Sequence, residues 1–342
     1  MRAIVLGAGV AGLACAVELA ERGVAVEVLE RGERLGAGGC SWYAGGMLAP
    51  WCERESAEPP VATLGLESLS WWPARFPGTV LRGSLVVAHG RDTAELRQFA
   101  RRTERFEWLD GERVGALESD LAGRFSQALY FPGEGHLDPR AALAALAARL
   151  SAFDVPIRFG ADIDVGRQTL ASEGADCIVI DCRGLEARDA LPDLRGVKGE
   201  MLVVRLPEVS LSRPVRVLHP RVPVYIVPRG DGHYMIGATV IESDQPTRIT
   251  ARSMLELLGA AYALHPAFGE AEIVEIGTGV RPAFPDNLPR VCRIGGAIYV
   301  NGLYRHGFLL APALARQAAE LVLAESHSLE VVHEDSRQRR LA

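Results

Sequence analysis

Apolar positions along the chain fall into two patterns, and their alternation predicts the architecture. Short apolar runs mark buried strands at Ala3-Ile4-Val5-Leu6, Cys177 to Cys182 and Ala297 to Gly302, and Ala25 to Glu30 and Val155 to Phe159 read as further strands. Helical patterns accompany them at Ala11–Arg22, which stops at Gly23, at Leu64–Trp72, and from Pro139 to Leu150 with Asp138 as N-cap. A glycine-led helix runs from Gly307 to Ala324 with Pro312 in its first turn. Between these blocks the pattern changes. Ser84–Ala88 and Ala128–Phe131 read as strands, Thr93–Glu107 as an exposed amphipathic helix and Val114–Leu121 as a shorter one. Beyond Arg195, Glu200–Leu206, Val222–Val227 and Tyr234–Thr239 alternate in the manner of antiparallel strands. Thr250–Leu264 is then predicted helical and Ala271–Gly279 a returning strand. The polar tail after Ser326 is expected to be disordered.

The first thirty-one residues organise the rest. The opening strand runs into Gly7-Ala8-Gly9-Val10-Ala11-Gly12 and a helix, and the second strand ends on Glu30. Gly7 allows the tight turn, Gly9 lets backbone N–H groups approach a pyrophosphate, and Gly12 lets the helix pack closely on the strand. The helix N-terminus offers unsatisfied donors and a partial positive charge. Glu30 is placed to accept from an adenosine ribose hydroxyl and would repel a 2′-phosphate. Dinucleotide binding follows, with NADP disfavoured. Strand-closing Arg183-Gly184 suits either a second approach to the dinucleotide or a plain turn.

Strands of the buried kind stand at the start, middle and end of the chain, separated by β-rich insertions. A nicotinamide dehydrogenase more often keeps its nucleotide-binding half contiguous, so the interleaving argues for a flavin. The expected fold class is α/β: a Rossmann-like FAD-binding domain (1–80, 137–197 and 277–328) with an interleaved, mainly antiparallel β-sheet substrate domain (81–136 and 198–276) and a polar tail (329–342).

Composition narrows this little further. The chain has 342 residues, 48% hydrophobic and 23% charged, with a net charge of −6, which gives no electrostatic case for nucleic acid. Lys198 is its only lysine, a bias read as compositional. The cysteines Cys15, Cys40, Cys52, Cys177, Cys182 and Cys292 are scattered without metal-ligand spacing, as expected for reduced, mostly buried thiols. No metal site and no membrane contact are expected, no run of eighteen apolar residues is present, and the protein is expected in the cytoplasm. The glycine-rich stretch Arg31–Arg54, which ends on Met47-Leu48-Ala49-Pro50, reads as backbone pressed against a ligand.

Four stretches together resemble the D-amino-acid-oxidase-like flavoproteins, and within them the glycine oxidase (ThiO) branch that makes the thiazole precursor of thiamine. They are Gly7–Glu30, Gly45-Gly46-Met47-Leu48-Ala49-Pro50, Arg195-Gly196-Val197-Lys198-Gly199-Glu200, and Gly279-Val280-Arg281-Pro282 with Gly302–Pro312. The resemblance covers nearly the whole chain. It implies a D-amino-acid-oxidase-like fold, non-covalent FAD, a small amino-acid substrate, oxygen as acceptor and a homo-oligomer. It places Tyr225 and Arg281 around the substrate carboxylate, and Arg305 near the substrate or the flavin. A planar guanidinium suits the first task, because it binds a carboxylate through two parallel hydrogen bonds. Cofactor contacts carry over to Gly7, Gly9, Val10, Ala11, Gly12, Glu30 and Arg31, to Gly45, Gly46, Met47 and Gly184, and to Arg305, His306, Gly307, Phe308 and Leu309. The implied reaction is oxidative deamination: hydride passes from the substrate Cα to flavin N5, and oxygen reoxidises the flavin to give hydrogen peroxide. The imine would then hydrolyse or feed thiazole synthesis. Glycine is the expected substrate. A sarcosine-like N-substituted glycine or a small D-amino acid is the alternative.

Overall fold

The computed structural model describes residues 2–161, 177–218 and 223–338. Residues 162–176 of the expected FAD-binding part, Val222 of one expected strand and the last four residues of the expected tail lie outside them. The chain opens with β1 (Arg2–Leu6), α1 (Val10–Glu21), β2 (Ala25–Leu29), β3 (Met47–Leu48), α2 (Pro50–Glu53), α3 (Pro59–Gly65) and α4 (Ser68–Arg75). It continues through β4 (Ser84–Ala88), α5 (Thr93–Ala100), β5 (Glu107–Asp110), α6 (Gly111–Leu117), β6 (Gln127–Phe131), β7 (Gly135–His136), α7 (Pro139–Ala152) and β8 (Ile157–Arg158). Next come β9 (Cys177–Asp181), β10 (Arg195–Arg205), β11 (Val215–Leu218), β12 (Val224–Gly230), β13 (His233–Gly237), β14 (Ile241–Glu242) and α8 (Ala251–Leu264). The last elements are β15 (Glu272–Ala283), β16 (Arg290–Ile294), β17 (Ala297–Asn301) and α9 (Gly307–Gln338).

The buried strands form one sheet in the order β16-β17-β9-β1-β2-β8. It is parallel except for the β16–β17 pair. The register sets Leu6 beside both Leu29 and Asp181, so β1, β2 and β9 end level and the segments after them leave one edge together. A ligand binds at such an edge, outside the carboxyl ends of parallel strands. α1 is covered by α7 and α9, and its Leu13, Ala16 and Val17 share a core with Leu143, Leu310 and Leu314. Asp138 caps α7 by accepting from the Arg140 and Ala141 amides at 2.8 and 2.9 Å. The Trp71-Trp72 pair is core: both rings are buried, with Trp72 Nε1 donating to the Phe308 carbonyl at 2.8 Å. The segment Gly307–Ala324 is long and apolar enough to cross a membrane by composition, yet most of it is buried in this core.

The second sheet runs β14-β10-β13-β12-β11-β4-β6-β5, with β15 on the free side of β10, and only its β4–β11 pair is parallel. Alternate residues of β10 face opposite ways. Leu202 and Val204 pack with Leu257, Ala261 and Leu264 of α8, whereas Met201 packs with Val227 and Met235 toward Tyr43, Met47 and Tyr225. β10 and β15 are longer than the pattern predicts and pair from Arg195↔Ala283 to Arg205↔Glu272, with one register shift between Val203 and Val204. They run through residues 197 and 277, where the pattern divides the chain, and both lie wholly in this second sheet.

Three expectations need correction. The helix from Thr93 ends at Ala100, because the chain turns through Arg105 at φ +62° and Glu107–Asp110 becomes β5 against β6. Helix α6 starts at Gly111, capped by the Asp110 side chain, and closes at Leu117 before a separate 3-10 turn at Ser119–Leu121. The tail after Ser326 is helical to Gln338, in line with a stretch that holds no glycine or proline after Pro312 to stop α9.

Candidate active site

At the level edge of the parallel sheet, Gly7 adopts φ +98°, a conformation that glycine takes without strain. A Cβ on Gly12 would collide with the Gly7 carbonyl, so turn and helix approach as closely as backbone allows. The first residue outside α1, Gly9, gives the helix no side-chain cap. Its Val10 amide donates to Ser41 Oγ at 3.2 Å. Glu30 is held beside the turn: its carboxylate accepts from the Ala8 amide at 2.6 Å and the Gly32 amide at 2.7 Å. A helix N-terminus with glycine as its N-cap, a glycine approach and a fixed carboxylate one strand away fit an adenosine diphosphate group.

From that turn a cleft runs to the face of the second sheet, in two lobes open to solvent of about 510 and 430 Å³. The lobes share Ala44, Gly45, Tyr225, Arg305, Gly307 and Phe308. The first also has Arg281, Tyr43, Tyr304 and Val10 among its lining residues, and Gly46, Met47, Glu53, His306 and Leu309 complete the second. The loop 44–46 is fastened from behind by Arg229, which donates to the Leu137 and Ala44 carbonyls at 2.7 and 2.8 Å. Burial pushes the Arg229 pKa down to about 10.

The two arginines of the cleft are held differently. Arg281 donates to the Thr239 carbonyl at 3.1 Å, and among the described residues no carboxylate lies within ion-pair distance of it. Burial lowers its pKa from the ordinary arginine value, partly offset by the Tyr225 hydroxyl. Its guanidinium occupies the space that a side chain at Gly199 would fill. Arg305 instead reaches Glu53 at 3.4 Å, and Glu53 also lies 3.6 Å from Arg216 and 3.5 Å from His306 Nδ1. Burial opposes ionisation of Glu53, but Arg305 and Arg216 outweigh it and keep the pKa below the usual carboxylate value. Burial pushes His306 down to about 4 against the pull of Glu53, so its imidazole is neutral at pH 7.

Most of the residues that the sequence singles out therefore converge. Tyr225, Arg281, Arg305, Val10, Gly45, Gly46, Met47, His306, Gly307, Phe308 and Leu309 line the cleft, and Gly7, Gly9, Ala11, Gly12 and Glu30 build the turn at its end. Two stand apart. Arg31 is exposed and pairs with Glu186 at 3.2 Å, and Gly184, at φ +61°, passes its carbonyl to Asn301 Nδ2 at 2.9 Å. Sequence reasoning missed Ser41, Glu53, Thr239 and Arg229. Each acts through a contact with a distant segment, and nothing in its own neighbourhood of the chain announces that.

Comparison with known proteins agrees with this geometry. A family described as FAD dependent oxidoreductase (DAO) matches residues 2–321. A candidate thiamine biosynthesis oxidoreductase, ThiO, of Rhizobium etli is 58% identical over 330 residues, covering 95% of this chain and 97% of its own. The glycine oxidase of Geobacillus kaustophilus is 30% identical over 351 residues, covering 93% and 92%. A crystal structure of glycine oxidase from Geobacillus kaustophilus matches with a TM-score of 0.78 and 27% identity, over 94% of each chain.

Proposed function

The chain belongs to the FAD dependent oxidoreductase (DAO) family, and from that premise we propose that it is a glycine oxidase. It oxidises the amine of glycine with oxygen as acceptor, and the imine serves thiazole formation in thiamine biosynthesis. The 58% identity to the Rhizobium etli protein and the likeness to glycine oxidases in sequence and structure support this reading. When bound, FAD supplies the two-electron acceptor for the amine and returns the electrons to oxygen as hydrogen peroxide. The Gly7–Gly12 turn, Glu30, the loop Gly45–Met47 and the start of α9 are the residues that would hold it.

The observation that carries the substrate class is Arg281. A half-buried guanidinium with a carbonyl as partner and no carboxylate within ion-pair distance among the described residues carries uncompensated positive charge into the cleft. Burying an unpaired charge is costly, and a substrate carboxylate removes the cost through two charge-assisted hydrogen bonds. Tyr225, on the same lobe, adds a third donor. Arg305 is already committed to Glu53, which leaves carboxylate binding to Arg281 and Tyr225. The first turn of α9 directs its positive end at the cleft and favours negative charge there. No Asp, Glu or His lines the Arg281 lobe among the described residues, so the substrate reacts as its free amine and gives up its proton to solvent. The same reading assigns 1–80, 137–197 and 277–328 to FAD and 81–136 with 198–276 to the substrate. It places the enzyme in the cytoplasm, where its six free thiols fit a reducing compartment.

Anaerobic titration tests this. Glycine, sarcosine and D-alanine are added in turn to the purified holoenzyme while its visible absorption is followed. Rapid bleaching by glycine, with peroxide formed on admitting air, is the expected result, and Arg281→Ala should lose it by about a hundredfold in kcat/KM, the upper range for a hydrogen bond to a charged group. Faster bleaching by sarcosine or D-alanine would move the substrate assignment to those amines. A bound flavin that none of the three reduces would overturn it.

A further inference from the structure

The only lysine of the chain is buried, 3% exposed in its side chain, beside a Glu200 that is 0% exposed. Lys198 and Glu200 share the face of β10 turned toward α8, and Gly199 between them faces the cleft, where Arg281 takes up its empty side-chain space. The ammonium spends its three hydrogens on Glu200 Oε1 at 2.6 Å, Thr247 Oγ1 at 2.9 Å and the Arg248 carbonyl at 3.1 Å. A planar guanidinium cannot reproduce that tetrahedral set, which is reason enough for lysine here in a chain that otherwise uses arginine.

Glu200 in turn grips Thr239 three times. Its amide donates to Thr239 Oγ1 at 2.9 Å, its side chain accepts from that hydroxyl at 3.3 Å, and its carbonyl accepts from the Thr239 amide at 3.1 Å. The Thr239 carbonyl is the one that accepts from Arg281. We propose that the Lys198–Glu200 pair positions Arg281 for its carboxylate: Glu200 fixes Thr239, Thr239 aims the guanidinium, and Lys198 neutralises Glu200. Without Lys198, the Glu200 carboxylate would compete with the substrate for the charge of Arg281 from the other side of β10. The pair is neutral as a unit, so the guanidinium keeps its full charge for the cleft. This inference rests on the reading of Arg281 as the carboxylate clamp.

The test uses the flavin-loaded enzyme and acetate, a carboxylate without an amine, with the visible spectrum of the bound flavin as reporter. Lys198→Met should weaken acetate about tenfold, a coupling of ordinary size for residues in one hydrogen-bond network. The KM for glycine should rise in parallel, while kcat and flavin content stay within about twofold. Thr239→Val should act in the same direction. In the Arg281→Ala background, adding Lys198→Met should leave the residual acetate affinity unchanged. Should Lys198→Met fail to fold, Thr239→Val, which keeps both charges and loosens the grip of Glu200 on Thr239, carries the comparison. Unchanged acetate affinity in folded variants, or an equal loss with and without Arg281, would overturn the proposal. An enzyme that binds acetate through Arg281 yet leaves glycine unoxidised would refute the substrate and not this device.

Discussion

Single residues of the cleft are set by what surrounds them more than by what they are. Arg281 and Arg305 have the same side chain, but one faces a carbonyl and the other a carboxylate, and that difference divides their tasks. His306 and His136 share another property: burial pushes both imidazoles down to about 4, from an ordinary value of 6.5. The unfolded chain takes up protons at these positions below pH 6.5 and the folded protein does not until near pH 4, so stability falls with pH across that window. By pH 5 each histidine costs about 2 kcal/mol. Urea unfolding at pH 7 and pH 5 checks this: His136→Gln should recover about 2 kcal/mol of the acid loss. His136 is the cleaner probe because His306 lies against Glu53. Such shifts are not written in the residue type. His136 follows an ordinary Gly-Glu-Gly turn in sequence, and only the fold reveals that its ring is buried.

At the scale of elements, the turn between β1 and α1 was legible in its order, with the helix one residue out of place at each end. Its three glycines, the helix and the closing acid were all assigned from order and spacing, and the Gly7–Gly12 contact gives the physical reason. Gly12→Ala should therefore push α1 away from the turn and deprive the phosphates of their helix end. The purified variant is expected to be folded by circular dichroism but nearly colourless, read as flavin absorbance per mole of protein. A yellow Gly12→Ala protein would mean that the turn is not where the cofactor is held. Other elements were legible in kind but not in extent. Thr93–Glu107 has a good amphipathic period, yet β6 offers an open edge to Glu107–Asp110, and pairing there ends the helix early. β10 and β15 ran past their predicted ends for a related reason, since each supplies the other with a partner along eleven residue pairs.

For the molecule as a whole, the cleft lies where the parallel sheet and the antiparallel sheet meet, roofed by α9 on one side and floored by Tyr225 and Arg281 on the other. Arg140 at the start of α7 holds Glu275 of β15 through both its terminal nitrogens, at 2.8 and 2.7 Å, and so ties one layer to the other beside the cleft. A cofactor seated between the layers binds the folded chain and not the unfolded one, so stripping FAD should lower stability, and a hundredfold excess over its dissociation constant should restore about 3 kcal/mol. Thermal melts of stripped and reloaded protein measure this; equal melting temperatures would argue against a seat between the layers. The sequence by itself determined the α/β class, the dinucleotide turn, the interleaving of two sheets and the family. These rest on local periodicity and on glycines whose role is set within a few residues. Only the tertiary structure decided that Arg305 belongs to Glu53, that Lys198 and Glu200 stand behind Arg281, and that Arg31 faces Glu186 at the surface. Those pairings join residues far apart in the chain, and charge and hydrogen bonding act across space with no regard for sequence order.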